Sequence, residues 1–209
     1  MNAILEVERD SQRIGQIDAG APMGGGFFAG MINVDTETFA LIVAPKATGE
    51  RIGKWNGSSK TVPGAESYSD GLENTIAMAE AGSDLAQWAR GLKIDDLTDW
   101  YIPARDELEL MYRNLKPTTQ ENVESFRDGD NPSSAPVGYP YTASFPAQTA
   151  ASAFQAGGTE ALEPVWHWAS TQGAADPSGA WYQNFLYGGQ TSLRKSYEGR
   201  ARAVRRMKI

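Results

Sequence analysis

The chain has 209 residues, 41% of them hydrophobic, and a formal net charge of −7. That apolar content supports a packed core and excludes wholesale disorder. There is no cysteine, which excludes a disulfide framework, a thiolate metal site and a cysteine nucleophile. The opening MNAILEVERD has no apolar leader core, and no run approaches the ~18 apolar residues of a membrane span, so no membrane insertion is expected. Arg194–Ile209 carries seven Lys/Arg against one Glu, on an otherwise acidic chain. This charge pattern predicts a poor nucleic-acid binder whose basic end is either solvated or paired with the acidic body.

In chain order, residues 1–26 read as an N-terminal arm. MNAILEVER is a candidate short strand, and Asp18–Gly26 a flexible Gly/Ala/Pro linker. The Gly24-Gly25-Gly26 run is followed by no Lys-Ser/Thr, so it is read as a hinge or close backbone approach rather than a phosphate loop. Phe27–Asn33 and Thr38–Ala44 predict a β-hairpin around the polar DTET. Residues 49–71 look like loop. Apolar spacing predicts helix over 72–90, broken near Gly82, with Ser83 capping the second segment and Gly91 closing it.

Trp100-Tyr101-Ile102 predicts a short buried strand, and Pro103 leads into a helix over RDELELMYRNL. Its acidic first turn, Asp106, Glu107 and Glu109, is read as dipole compensation and solubility. Residues 117–146 form a long polar loop, and Gln148–Gln155 a third, short helix. Strands are predicted at Val165–Ser170, Ala180–Leu186 and Ala201–Met207, separated by Gly/Pro turns.

Three segments carry a resemblance. DWYIPARDELELMYRNL is similar to a W-x-hydrophobic-P-x-R-x-E-L strand-to-helix step. HWASTQ…GAWYQNFLYGGQ is similar to a W-S-S-T…A-W-x-x-x-F-x-x-G hairpin, and GRARAVRR to a closing R-V-R-x-V-R strand. Together they resemble the phage-associated family related to the C-terminal domain of the Legionella collagen-like adhesin, a group with C-type-lectin-like folds. The match covers roughly residues 98–209, and FFAG…ALIVAPK…GE extends it to about residue 27. The fold class this implies is α+β: a small twisted antiparallel sheet, two main helices and long loops, with first and last strands paired. Residues 1–26 then form the arm and 27–209 the C-type-lectin-like domain.

The resemblance implies a virion protein assembled in a bacterial cytoplasm, a reducing compartment that suits a cysteine-free chain. A tail-fibre or receptor-binding role in host adhesion is one expectation. A purely structural role, as capsid decoration, tail or baseplate component, is the other. Partners are then other virion proteins through the N-terminal arm, a host surface glycan or protein, and further copies of the chain.

An enzyme is not expected. The formylglycine-generating relatives depend on cysteines, and no Ser-His-Asp arrangement can be read around the single histidine. Asp128-Gly129-Asp130-Asn131 has calcium-ligand residue types but not the spacing of an EF-hand, so it is read as turn chemistry, with no metal or cofactor. Trp166, Trp168, Trp181, Phe185 and Val204 are assigned to the core. Strand alternation then turns Tyr182 and Asn184 outward, with Tyr187 and Gln190 in the adjoining turn and His167 facing solvent between its two tryptophans. The Tyr/Asn/Gln composition of this face suits adaptable recognition, and these five residues are the predicted ligand contacts.

Overall fold

The computed structural model describes residues 17–125 and 127–209; the candidate strand MNAILEVER lies outside them. Residues 17–26 are not a free linker. Gly20 N–H donates to Phe28 O and Phe28 N–H to Ala21 O, while Ala19 packs against the core. The glycine run is a close backbone approach: a Cβ on Gly26 would lie 2.2 Å from Val43 O.

The apolar alternation after Gly26 forms the predicted hairpin, β2 (Gly26–Val34) and β3 (Glu37–Val43), preceded by β1 (Pro22–Met23). Its turn places Asp35 at φ 53, a conformation Asp tolerates. A one-turn helix α1 (Lys46–Gly49) follows, and then β4 (Glu50–Lys54) in the stretch read as loop. β4 is largely exposed and charged, so no apolar alternation marks it; antiparallel pairing with the strand Glu198–Arg202 holds it.

The predicted helix over 72–90 is two helices, α2 (Gly71–Glu80) and α3 (Asp84–Arg90). Gly82 at φ 82 makes the break. Ser83 Oγ accepts from Ala86 N–H, and Gly91 closes the second helix. Tyr101 is fully buried and exchanges both backbone hydrogen bonds with Val204. α4 (Arg105–Leu115) follows, and packs close to β2 because Gly30 has no side chain: a Cβ there would lie 2.9 Å from Leu110 Cδ1. The third helix shrinks to a 3₁₀ turn at Ser152–Phe154.

The long loop contains β5 (Ser134–Ala135), and the C-terminal part forms β6 (Trp166–Gln172), β7 (Gly179–Asn184), β8 (Gln190–Arg194), β9 (Glu198–Arg202) and β10 (Val204–Lys208). One sheet has the order β1-β2-β3-β10, with β5 also on β2; the other is β4-β9-β6-β7-β8. The single strand expected at Ala201–Met207 is thus two strands in two sheets, joined through Ala203. Its N–H donates to Gly49 O, and its C=O accepts from Ala44 N–H. The closing strand β10 pairs with β3, the second strand of the N-terminal hairpin.

Among the described residues the fold is mixed α/β, with four helices, about 31% strand and a curled antiparallel sheet. One apolar cluster lies between α4 and the sheets, around Leu41, Met111, Tyr112, Phe185 and Val204. A second, around Trp55, Met78, Leu85 and Trp168, fills the space under α2 and α3. The basic end pairs with the acidic body: Arg200 with Glu50 at 2.8 Å, Arg205 with Asp99 at 2.8 Å and Arg206 with Asp70 at 3.0 Å. No helix among the described residues is long and apolar enough to cross a membrane.

A candidate ligand-binding cleft

The acidic start of α4 is not a solvated face. Asp106, Glu107 and Glu109 are all buried. Asp106 and Glu109 draw partners from the long loop, and Glu107 from the residues just before the helix. Glu107 accepts from Tyr101 Oη and from Ala104 N–H, both at 2.7 Å. Asp106 accepts from Ser133 Oγ at 2.6 Å and pairs with Arg105 at 2.8 Å. Glu109 accepts from Asn131 Nδ2 and Tyr141 Oη and pairs with Arg113 at 2.9 Å. Burial pushes the Glu109 carboxyl up, opposed by the Arg113 charge.

The Asp106 and Glu109 bonds tie the 117–146 loop to the helix, so the loop has a fixed course despite its polar sequence. Arg113 Nη2 adds bonds to Gly129 O and Tyr139 O. Glu109→Ala removes the shared acceptor and leaves the nearly buried Arg113 charge without its carboxylate. The expected loss is about 3–5 kcal/mol, with amide exchange rising first over residues 127–145. Exchange there no faster than in β6 would show that the loop is held by other contacts.

The anchored loop forms one wall of a cleft of about 360 Å3, in the size range of small-ligand sites. Tyr68 and Trp181 supply aromatic surface, and Arg105, Asp128, Asp130 and Gln190 supply polar groups. Arg105 is 6% exposed and forms the floor. Its guanidinium lies 5.4 Å from the Tyr68 ring centroid and 5.0 Å from that of Trp181. Nη1 donates to Asp106 Oδ1 at 2.8 Å and Asp130 O at 3.2 Å; Nη2 donates to Gln190 Oε1 at 3.0 Å. The two rings meet edge to face at 6.0 Å. Positions set by this many contacts are preorganised, so a ligand need not order them.

Register explains which residues face the cleft. Gln183 lies opposite Gln190, and Trp181 opposite Ser192, so all four share one face of the β7–β8 pair. Gln190 alone of the five predicted contacts lines the cleft. Trp181 shares a face with the core as expected, but it is half-buried and serves as a cleft wall rather than a core residue.

His167 does not face solvent. It is fully buried against Phe185, with ring centroids 4.6 Å apart and Nδ1 3.1 Å from Val165 O. Alternation misleads here because β6 is covered on both faces: Trp168 joins one core cluster and Ala169 the other. Asn184 is also buried, and its Oδ1 caps the following turn by accepting from Leu186 N–H at 2.8 Å. Tyr182 stacks on Trp166 at 4.3 Å, and Tyr187 meets Trp166 edge to face at 6.2 Å. Both tyrosines are half-buried, and neither lines the cleft.

The Asp128–Asn131 turn is built from hydrogen bonds. Asp128 accepts from Gln190 N–H and Ser125 Oγ; Asn131 Oδ1 accepts from the N–H groups of Ser133 and Ser134. Among the described residues no group of His, Asp and Glu side chains is arranged to hold a metal ion. Reading the sequence missed Tyr68, which lies in the supposed loop, and Arg105, which was masked by its place in a helix start. The Pro-x-Arg step into α4 was the available signal. No family model matches the chain, and no curated protein matches its sequence.

Proposed function

We propose that the chain is a C-type-lectin-like binding module on the outside of a phage particle, and that the Tyr68–Trp181 cleft attaches the particle to a host surface. The observation that carries this reading is the cleft itself: aromatic walls over a locked arginine floor, at the edge of a hairpin and an anchored loop. The three resembling segments also converge: Tyr101 bridges to Val204, and β6, β7 and β9 share one sheet. In this reading the N-terminal arm joins other virion proteins and the chain assembles as a homo-oligomer, without nucleic acid, membrane insertion or catalysis.

The test is binding of fluorescently labelled protein to a panel of bacterial cells. Tyr68 is 40% exposed, so Tyr68→Ala should fold like the parent, yet lower cell binding about tenfold or more if the ring is a hot spot. Equal binding by parent and variant removes the cleft from the attachment mechanism.

One observation favours the structural alternative. Val137, Tyr139 and Phe145 on the long loop are exposed at 49%, 74% and 56%, an apolar group suited to a protein contact. If virions lacking the chain adsorb normally but are less stable, this alternative replaces the adhesion reading.

A further inference from the structure

A second hollow, of about 370 Å3, adjoins the first and shares Tyr68, Trp181 and Gln190 with it. Its far side is formed by the turn around Gly173–Asp176 and by Ser192. One aromatic ridge therefore serves two adjoining concavities.

The charges decide what can sit there. Arg105 and Arg127 line the first hollow together with Asp128 and Asp130, and the Arg105 charge is already matched by Asp106 at 2.8 Å. Asp176 is the sole charged residue lining the second hollow among the described residues. The two arginines and two aspartates of the first hollow balance, so among the described residues an anionic ligand finds no surplus positive charge in either place. A cationic ligand seeking the aromatic faces finds the chain's own guanidinium already against both rings. What remains is exposed ring surface on Tyr68, with the Gln190 amide and the Ser192 hydroxyl nearby. This combination suits a molecule with C–H faces to stack and hydroxyl groups to hydrogen-bond.

We infer that the cleft takes an uncharged glycan of at least two sugar units, one in each hollow, lying across the Tyr68–Trp181 ridge. The inference rests on the cleft being the attachment site. A bound sugar stacks on Tyr68 and places hydroxyls against Gln190, and the next unit reaches Ser192. Because the interaction is uncharged, salt has little effect on it.

The full chain is screened on an array of neutral, uronic-acid-containing and sialylated glycans of one to four units, and the hits are measured by calorimetry. Neutral glycans of two or more units should bind at least about tenfold tighter than their component monosaccharides, as a second occupied hollow requires. Raising salt from about 50 to about 500 mM should change that affinity less than about twofold. Ser192 is exposed, so Ser192→Trp should fill the second hollow without unfolding the chain and erase the advantage of the second sugar. Preference for sialylated or uronic-acid glycans, or equal affinity for one sugar and two, overturns the inference. So does cell binding that survives periodate treatment of the cells but not protease; that result leaves the adhesion reading standing. Absence of both cell and glycan binding overturns the two together.

Discussion

Trp168→Ala should destabilise the fold by about 3–5 kcal/mol, as deletion of a large buried aromatic does. Trp168 is fully buried in the cluster with Trp55, Met78, Leu85 and Ile102. Its Nε1 donates to Gly53 O of β4 at 3.2 Å, and its ring lies against Tyr182 of β7 at 4.9 Å. The ring also fits against Gly199 of β9, where a Cβ would come within 2.6 Å of Nε1. Truncation therefore opens a cavity touching three strands. At about 2–4 °C per kcal/mol for a chain of this size, the melting temperature should fall by roughly 6–20 °C. Trp181→Ala should do less to stability, because that ring is only partly buried, and more to ligand binding. Equal melting temperatures for the two variants would mean that the cleft wall carries as much of the core as Trp168 does.

Acid should weaken the fold through His167. The carbonyl of Val165 can only accept, so Nδ1 carries the proton, and Nε2 is buried with no hydrogen-bond partner among the described residues. Burial, with Arg200 and Arg202 nearby, pushes the imidazole down from 6.5 to about 3. Between these values the unfolded chain binds a proton that the folded chain refuses. The stability is thus fully present above about pH 6.5 and is lost as pH falls toward 3. At pH 5 the loss is about 2 kcal/mol relative to pH 7.5. Glu107, pushed up to about 7 by burial, acts in the opposite direction over part of the same range. The informative quantity is therefore the difference between parent and His167→Gln across pH, in which shared groups cancel. Parallel stability curves for the two proteins would show that His167 is not titrating as a buried neutral base.

The hairpin at β2–β3 and the break between α2 and α3 were legible because each follows a local rule: alternation in one case, glycine and a serine cap in the other. β4 and β8 were not, because both are polar edge strands defined by their partners rather than their own sequence. His167 defeated alternation because a strand buried on both faces has no outward side. The carboxylates of α4 were misread because a helix start rich in acid looks the same whether solvent or a loop provides its partners. The cleft was partly legible through Gln190. Tyr68 and Arg105 were not, since the contact between them exists only after residues far apart in sequence are brought together.

The junction at Ala203 orders events during synthesis. β9 sits between β4 and β6 in one sheet, and β10 completes the other against β3. Both are translated after every other described strand, so a nascent chain paused before them leaves β3 and β4 without their long-range neighbours. Such pairings close large loops and form slowly. The chain is therefore exposed to aggregation or proteolysis until this one segment emerges, and a truncated product lacking it loses closure of both sheets at once.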